Sequence, residues 1–333
     1  MNTGFRKFIV FVLIFFIWGR FVSAQVTDAT LVVGNYKITK VVDGDTFHFE
    51  GLDRSTRLLG IDTEETYKDK KAEIKSHDLA QTWPEPYNEA KAKKGNNFPA
   101  KVDTPFGYET WKWAESFVKD FDEVRLEKDD ALRSIDAYGR YLVYMILIKD
   151  GKEINYNIEC VKRGYSPYYN KYGKSKRFDK EFKEAQLYAQ KNKLGIWNEK
   201  TLCYPDYPQR IEWWNKRAEQ IENFEKKYQS DKTYFNLMND GEYERLADYL
   251  DKEIVVFGNI SEIKKFSNMT KLKINISKGV DFDIVVFKDN QDILDKFNID
   301  INREYSIYVK GILKEYKGYY EIIINEPSQL WSE

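Results

Sequence analysis

Cysteine and histidine are nearly absent, with two of each in 333 residues, and neither charge predominates. Cys160 and Cys203 lie far apart with no histidine nearby, which argues against a thiolate–imidazole metal site. His48 alternates with apolar neighbours and reads as an ordinary strand residue, while His77 lies in a hydrophilic stretch. Chemistry that needs a pair of histidines therefore has little to work with. A formal charge of -1 rules out a global basic field, so any attraction for a polyanion has to be a local patch. Long apolar runs are also missing, apart from residues 8–18, which fall short of the ~20 residues of a membrane-spanning helix. Arg6 and Lys7 precede that run and Val22-Ser23-Ala24 follows it, so residues 1–24 read as a signal peptide cleaved before Gln25, or an anchor if retained. No cysteine follows the run, which argues against lipoprotein processing. The mature chain is expected to be exported, with no stable membrane association. Export permits a Cys160–Cys203 disulfide. The alternative is that Cys160, in Ile158-Glu159-Cys160-Val161, is simply a small buried residue.

What is present is enough for two cores. The chain is 42% hydrophobic and 16% aromatic, and its length suits about two domains. Two stretches stand out, Val41-Val42-Asp43-Gly44-Asp45-Thr46 and Arg57-Leu58-Leu59-Gly60-Ile61-Asp62-Thr63-Glu64-Glu65-Thr66. Each alternates apolar residues with carboxylates, the pattern of a strand that runs into a turn and displays acids at its end. Gly44 can supply the positive φ that a tight turn often needs. Asp45 and Asp62 can offer one divalent cation hard oxygen ligands from two strands, with Glu65 near enough to act on a water. The plainer alternative is a solvated hairpin end rich in acids.

These stretches are followed by Asp136-Ala137-Tyr138-Gly139-Arg140 and then Gly195-Ile196-Trp197-Asn198. In that order they resemble the staphylococcal nuclease (thermonuclease) family over residues 34–200 or so. The resemblance implies a small OB-type barrel with packed helices and a calcium-dependent nuclease that cuts DNA or RNA with little sequence preference, leaving 3′-phosphate ends. It assigns Asp45 and Asp62 as calcium carboxylates and the Thr63 carbonyl as a further ligand. Glu65 becomes the group that holds or deprotonates the attacking water, and Arg57 and Arg140 the cations on the phosphate. Asp43 supports Asp45, and Tyr138 lines the nucleotide pocket. Tyr172 belongs with Tyr165, Tyr168 and Tyr169 to a cluster that either stacks on a base or packs within a loop. The rival implication is a non-catalytic nucleic-acid- or protein-binding module, as in relatives that have lost these groups.

Three departures accompany the resemblance. Glu64 stands where the family often has proline, adding negative charge beside Glu65. Ala137 stands where a basic residue is found. Residues 67–104, lysine-rich and containing Pro84 and Pro86, form an insertion, read as a solvated surface excursion in preference to a lysine-bearing flap over the site.

The remaining pattern predicts strands at 36–42, 46–49, 55–59, 123–126 and 141–148, with helices at 108–119, 154–163 and 176–193. A connector at 201–250 carries Ile211, Trp214, Ala218, Ile221 and Phe224 at helical spacing. Residues 251–326 then read as a second OB-fold-like domain, with strands at 253–260, 272–276, 282–287, 305–313 and 319–324 and a helix at 292–297. Val309-Lys310-Gly311-Ile312 and Tyr316-Lys317-Gly318-Tyr319-Tyr320-Glu321 look like the end of OB-type nucleic-acid-binding domains. Balanced charge leaves nucleic acid and protein equally open as its partner. The fold class expected is thus mixed β-barrel plus α, with two barrels and a helical connector.

Overall fold

The computed structural model describes residues 31–94, 98–121, 123–228 and 230–332; the expected signal peptide at 1–24 lies outside them. In the first unit, strands Val32–Tyr36, Val124–Glu127, Tyr141–Lys149 and Thr56–Leu58 are neighbours in that order, and Lys152–Asn155 pairs with Tyr141–Lys149. Strands Ile38–Val41 and Phe47–Phe49 form an adjoining antiparallel hairpin. The six residues from Leu142 to Leu147 are all buried, which explains why that strand shows no alternation: both of its faces are covered. Asp150 and Gly151 both take positive φ, at 52° and 72°, and fold the chain back on itself.

That turn changes the next element. Ile154 and Asn155, expected to open a helix, instead belong to the strand Lys152–Asn155 that completes the hairpin, with Leu147 opposite Ile154. Asn155 then caps the helix Tyr156–Lys162, its side chain accepting the Ile158 N–H. Phe47, Leu58, Ile61, Leu126, Val143 and Met145 form the core, closed by Ala114, Tyr156, Val161 and Phe182 from three helices, Pro105–Val118, Tyr156–Lys162 and Asp179–Lys191. Cys160 is part of that core, and Cys160 and Cys203 are both free thiols, so the disulfide is not formed.

The insertion is not a solvated excursion. It folds into helices Ala72–Thr82 and Glu85–Lys94. Tyr87 and Ala100 then pack with Phe106, Ile196, Tyr204 and Tyr207 into a separate small core. Two aromatic residues of the connector are therefore part of what holds the insertion down.

The connector itself is the helix Tyr207–Tyr228. Its stripe serves both sides: Trp214 meets the Tyr169 ring edge-on at 4.8 Å, while Ile221 and Phe224 pack on Val255, Phe257 and Tyr308. Beyond it lies an eight-stranded sheet. Five of its strands, Glu253–Asn259, Met269–Ser277, Val280–Phe287, Ser306–Tyr316 and Tyr319–Ile324, match expected ones. Tyr234–Asn236 and Glu262–Lys265, from segments read as connections, and Leu330–Trp331, beyond the expected domain end at 326, extend the sheet. The fold is mixed, an OB-type β unit with packed helices joined by a helical connector to a second β unit. No helix among the described residues is long and apolar enough to cross a membrane.

Candidate active site

Strand alternation decides where Arg57 points. Thr56 and Leu58 enter the core, so the side chain between them faces the opposite way, toward the acid-bearing turns. There its two terminal nitrogens divide between two strands. Nη1 donates to Asp45 Oδ2 at 3.0 Å, and Nη2 to Asp62 Oδ1 at 2.6 Å and to the Ile61 carbonyl at 3.2 Å. Asp45 Oδ2 also accepts the Thr63 N–H at 3.0 Å, and Asp43 Oδ1 accepts the Asp45 N–H at 3.2 Å. The turns are fixed from behind: the Tyr156 hydroxyl donates to the Gly44 carbonyl, and the Asp62 N–H donates to Ser166 Oγ.

Two glycines make this packing possible, and for Gly44 the reason is not the expected one. Gly44 is absent from the positive-φ residues; instead a Cβ there would lie 2.5 Å from the Thr110 methyl and 2.8 Å from the Thr63 methyl. Gly107 had no part in the expected site. A Cβ on it would stand 2.0 Å from the Glu65 carbonyl oxygen, so only glycine lets the helix Pro105–Val118 begin against the strand exit.

The carboxylates sit in unlike environments. Burial raises the pKa of Asp45, and the Arg57 guanidinium offsets only part of that effect. Burial acts the same way on Asp62, but there Lys101 and Arg57 outweigh it and hold the group at about 2. Lys101 was not foreseen. It comes from the returning end of the insertion and places Nζ 2.8 Å from Asp62 Oδ1 and 3.5 Å from Glu65 Oε1. A second insertion lysine, Lys68, reaches Asp43 Oδ2 at 2.6 Å. The lysine content of residues 67–104 was the only sequence signal for either.

Glu65 keeps a half-open carboxylate, whose one ion pair among the described residues is the 3.5 Å contact with Lys101. Glu64 points the other way. Its side chain is 1% exposed and accepts hydrogen bonds from the Thr104 hydroxyl, the Tyr204 N–H at 2.6 Å and the Tyr207 hydroxyl at 2.9 Å. Burial pushes it up to about 7 against those bonds. Glu64 therefore faces away from Glu65 and serves as a pin between the barrel and the connector.

Arg140 lies on a turn organised by Asp136. That carboxylate accepts the N–H groups of Tyr138 and Arg140, each at 3.0 Å, and pairs with the Arg140 guanidinium at 2.7 Å. Arg140 also stacks over Tyr138, which is 80% exposed. Ala137 brings no charge to this turn, yet a basic group stands close: Arg54 Nη1 is 3.7 Å from where a Cβ on Gly139 would be.

The structure thus joins Asp45, Arg57, Asp62 and Thr63 by direct hydrogen bonds and ties Glu65 to them through Lys101. Thr63 contributes its N–H to that network, while its carbonyl has no partner in it. Arg140, Tyr138 and Tyr172 share with Arg57 a cleft of about 1100 Å³ rather than direct contacts. Asp62 and Lys101 open on a second cleft of about 540 Å³, and Tyr169 and Lys171 line both.

The donors available to a metal are carboxylate and carbonyl oxygens, the hard set that suits calcium rather than zinc or copper. Asp45 fits that role well, being a buried carboxylate whose burial is incompletely compensated. Among the described residues no three acidic, histidine or cysteine groups form a ready cage, because Arg57 and Lys101 hold the carboxylates. The residues fit calcium in kind, provided that those cations yield part of their hold.

Known proteins match the part of the chain that carries this site. The family model described as staphylococcal nuclease homologue matches residues 55–199. An uncharacterized protein of Methanocaldococcus jannaschii is 32% identical over 164 residues, 49% of this chain and 70% of that one. The thermonuclease of Staphylococcus intermedius is 30% identical over 165 residues, 49% of this chain and 76% of its own. The endonuclease YhcR of Bacillus subtilis is 26% identical over 172 residues, 50% of this chain but only 12% of that much longer protein. Because two of these relatives are matched at this level along most of their own length, the chain belongs to the staphylococcal nuclease homologue family.

Proposed function

We propose that this chain is a nuclease that hydrolyses phosphodiester bonds of DNA or RNA with little sequence preference. The observation that carries the reading is the placement of Arg57 between Asp45 and Asp62, with Glu65 at the same strand exit. A phosphodiester is already anionic, and attack by water adds charge at phosphorus, so cations must meet its oxygens and a base must take the water's proton. Arg57 and Arg140 have planar guanidinium groups suited to two phosphate oxygens each. Glu65 accepts the proton of the attacking water. Cleavage on the 5′-oxygen side of phosphorus leaves a 3′-phosphate and a 5′-hydroxyl. A calcium ion held by Asp45, Asp62 and the Thr63 carbonyl would supply Lewis-acid polarisation of the phosphate. Export of the mature chain, from residues 1–24, belongs to the same reading. So does a nucleic-acid- or protein-binding role for the second β unit.

Digestion of mixed DNA and RNA should proceed in calcium and stop in EDTA. Product ends that accept label from a kinase without prior phosphatase treatment would confirm the 5′-hydroxyl. Asp45→Asn with Asp62→Asn should remove calcium binding by calorimetry, since two negative charges leave one site. Unchanged calcium affinity in the folded double variant would place the ion elsewhere. Binding of nucleic acid without cleavage in any divalent ion would favour the non-catalytic module.

A further inference from the structure

The large cleft beside Arg57 contains three cations that no acid in the described structure pairs with. Arg217, on the connector helix, is 4% exposed and spends its N–H groups on two carbonyls, Nε on Lys171 at 3.2 Å and Nη1 on Glu304 at 2.8 Å. Arg133, on the loop before the strand Tyr141–Lys149, donates to the Tyr172 carbonyl. Lys171 packs its ammonium 4.2 Å from the Trp213 ring centre. All three surround one ring: Arg133, Lys171 and Arg217 stand 5.5, 5.6 and 5.5 Å from the centre of Tyr172. Of the acids that line the same cleft, Asp136 is held by Arg140, Asp240 by Ser134, Glu222 by Lys174 and Glu225 by Lys176, while Glu304 acts on Lys171 and Arg217 only from beyond ion-pair distance. Burying a guanidinium without a counter-charge is costly, and a fold keeps such a group where an anion will arrive.

We propose that Arg133, Lys171 and Arg217 form a phosphate subsite for a neighbouring phosphodiester of the bound single strand, and that the connector helix exists in part to complete it. The inference rests on the nuclease reading for the identity of the strand. Two ring contacts connect this place to the reacting centre, since Arg57 stacks on Tyr169 at 5.5 Å and Tyr169 meets Tyr172 edge-on at 6.0 Å. The exposed Tyr138 lines the same cleft and offers a base a stacking face, as single-strand grooves do. Electrostatics agree with the geometry. Burial raises the Tyr172 phenol, but Lys171, Arg217, Arg133 and Arg57 overcome it and lower its pKa. Burial also lowers Lys171, to about 8, and the more distant Glu304 and Asp62 offset only part of that. Arg217 lies beyond residues 55–199, outside the part of the chain that the family model matches.

The test is binding of fluorescein-labelled decathymidylate to the full chain in EDTA, by anisotropy across a salt series. Arg217→Gln and Arg133→Gln should each weaken binding by about tenfold, the usual loss for a charged hydrogen bond. Each should also flatten the salt dependence by about 0.7 in slope, one phosphate contact on a single strand. Arg217→Lys should restore most of the slope, because charge is kept, and less of the affinity, because the fork is lost. If Arg217→Gln does not fold, Arg133→Gln and Lys171→Gln carry the test, both being only half-buried. Unchanged affinity and slope in folded variants would overturn the subsite. Wild-type protein that binds the strand yet never cleaves it in calcium would overturn the nuclease reading and leave the subsite standing. Wild-type protein that does neither overturns both.

Discussion

Replacing Glu65 with glutamine should lower phosphodiester cleavage by about two to four orders of magnitude, the usual contribution of a positioned general base. The melting temperature should hardly move. Glu65 is half-open to solvent, and its ion pair with the exposed Lys101 spans 3.5 Å. Pairs of that kind contribute little to stability. Glutamine keeps the shape and one oxygen but cannot take a proton from water at working pH. Turnover near the wild-type value from folded Glu65→Gln protein would remove Glu65 from the mechanism.

Arg57→Ala should also abolish activity, but it is the poorer test. Arg57 is the cation that two buried carboxylates share. Removing it leaves Asp45 without its ion-pair partner and Asp62 with Lys101 alone, and breaking a buried pair costs on the order of 3–5 kcal/mol. Lost activity would then be hard to separate from lost structure. Arg140→Ala is milder, because Arg140 bonds one partly exposed carboxylate on its own turn.

The core of this arrangement was legible because its parts are close in sequence. Asp45, Arg57 and Asp62 lie within 18 residues, on strands whose alternation fixes their facing. The Asp150-Gly151 turn was legible for the same reason, since its conformation is a property of two adjacent residues. What was not legible is long-range. Lys101 is 39 residues from Asp62 and Arg217 is 46 from Lys171, and nothing local in either segment names its partner. The insertion was misread because each of its helices buries only one to three side chains, so no continuous apolar stripe marks them. Its core depends on Tyr204 and Tyr207, which come more than 100 residues later. Glu64 illustrates the consequence. Next to Asp62 and Glu65 it reads as part of an acidic site, and only the fold reveals that it faces away.

Glu64 is therefore expected to matter for stability rather than for catalysis. Glu64→Ala would strand the Tyr204 N–H and the Tyr207 hydroxyl in a buried pocket, at about 1–3 kcal/mol for each orphaned donor. The loss should appear as a drop in denaturation midpoint that is far greater than for Glu65→Gln, although the two residues are adjacent. Tyr207→Phe alone removes one bond and should cost about 1 kcal/mol. Its effect should largely vanish in a Glu64→Ala background, since the two changes delete the same contact. The same contacts bear on where the chain can be cut. A fragment ending at residue 202 keeps every proposed catalytic group, yet it loses Tyr204, Tyr207 and Arg210, which close the core beneath the insertion and hold Glu64, Asp206 and the Ala100 carbonyl. It should melt well below the full chain and lose the order of Lys101 beside Asp62. A 25–202 fragment as stable as the full chain, with additive Glu64→Ala and Tyr207→Phe effects, would show that this pin carries no weight.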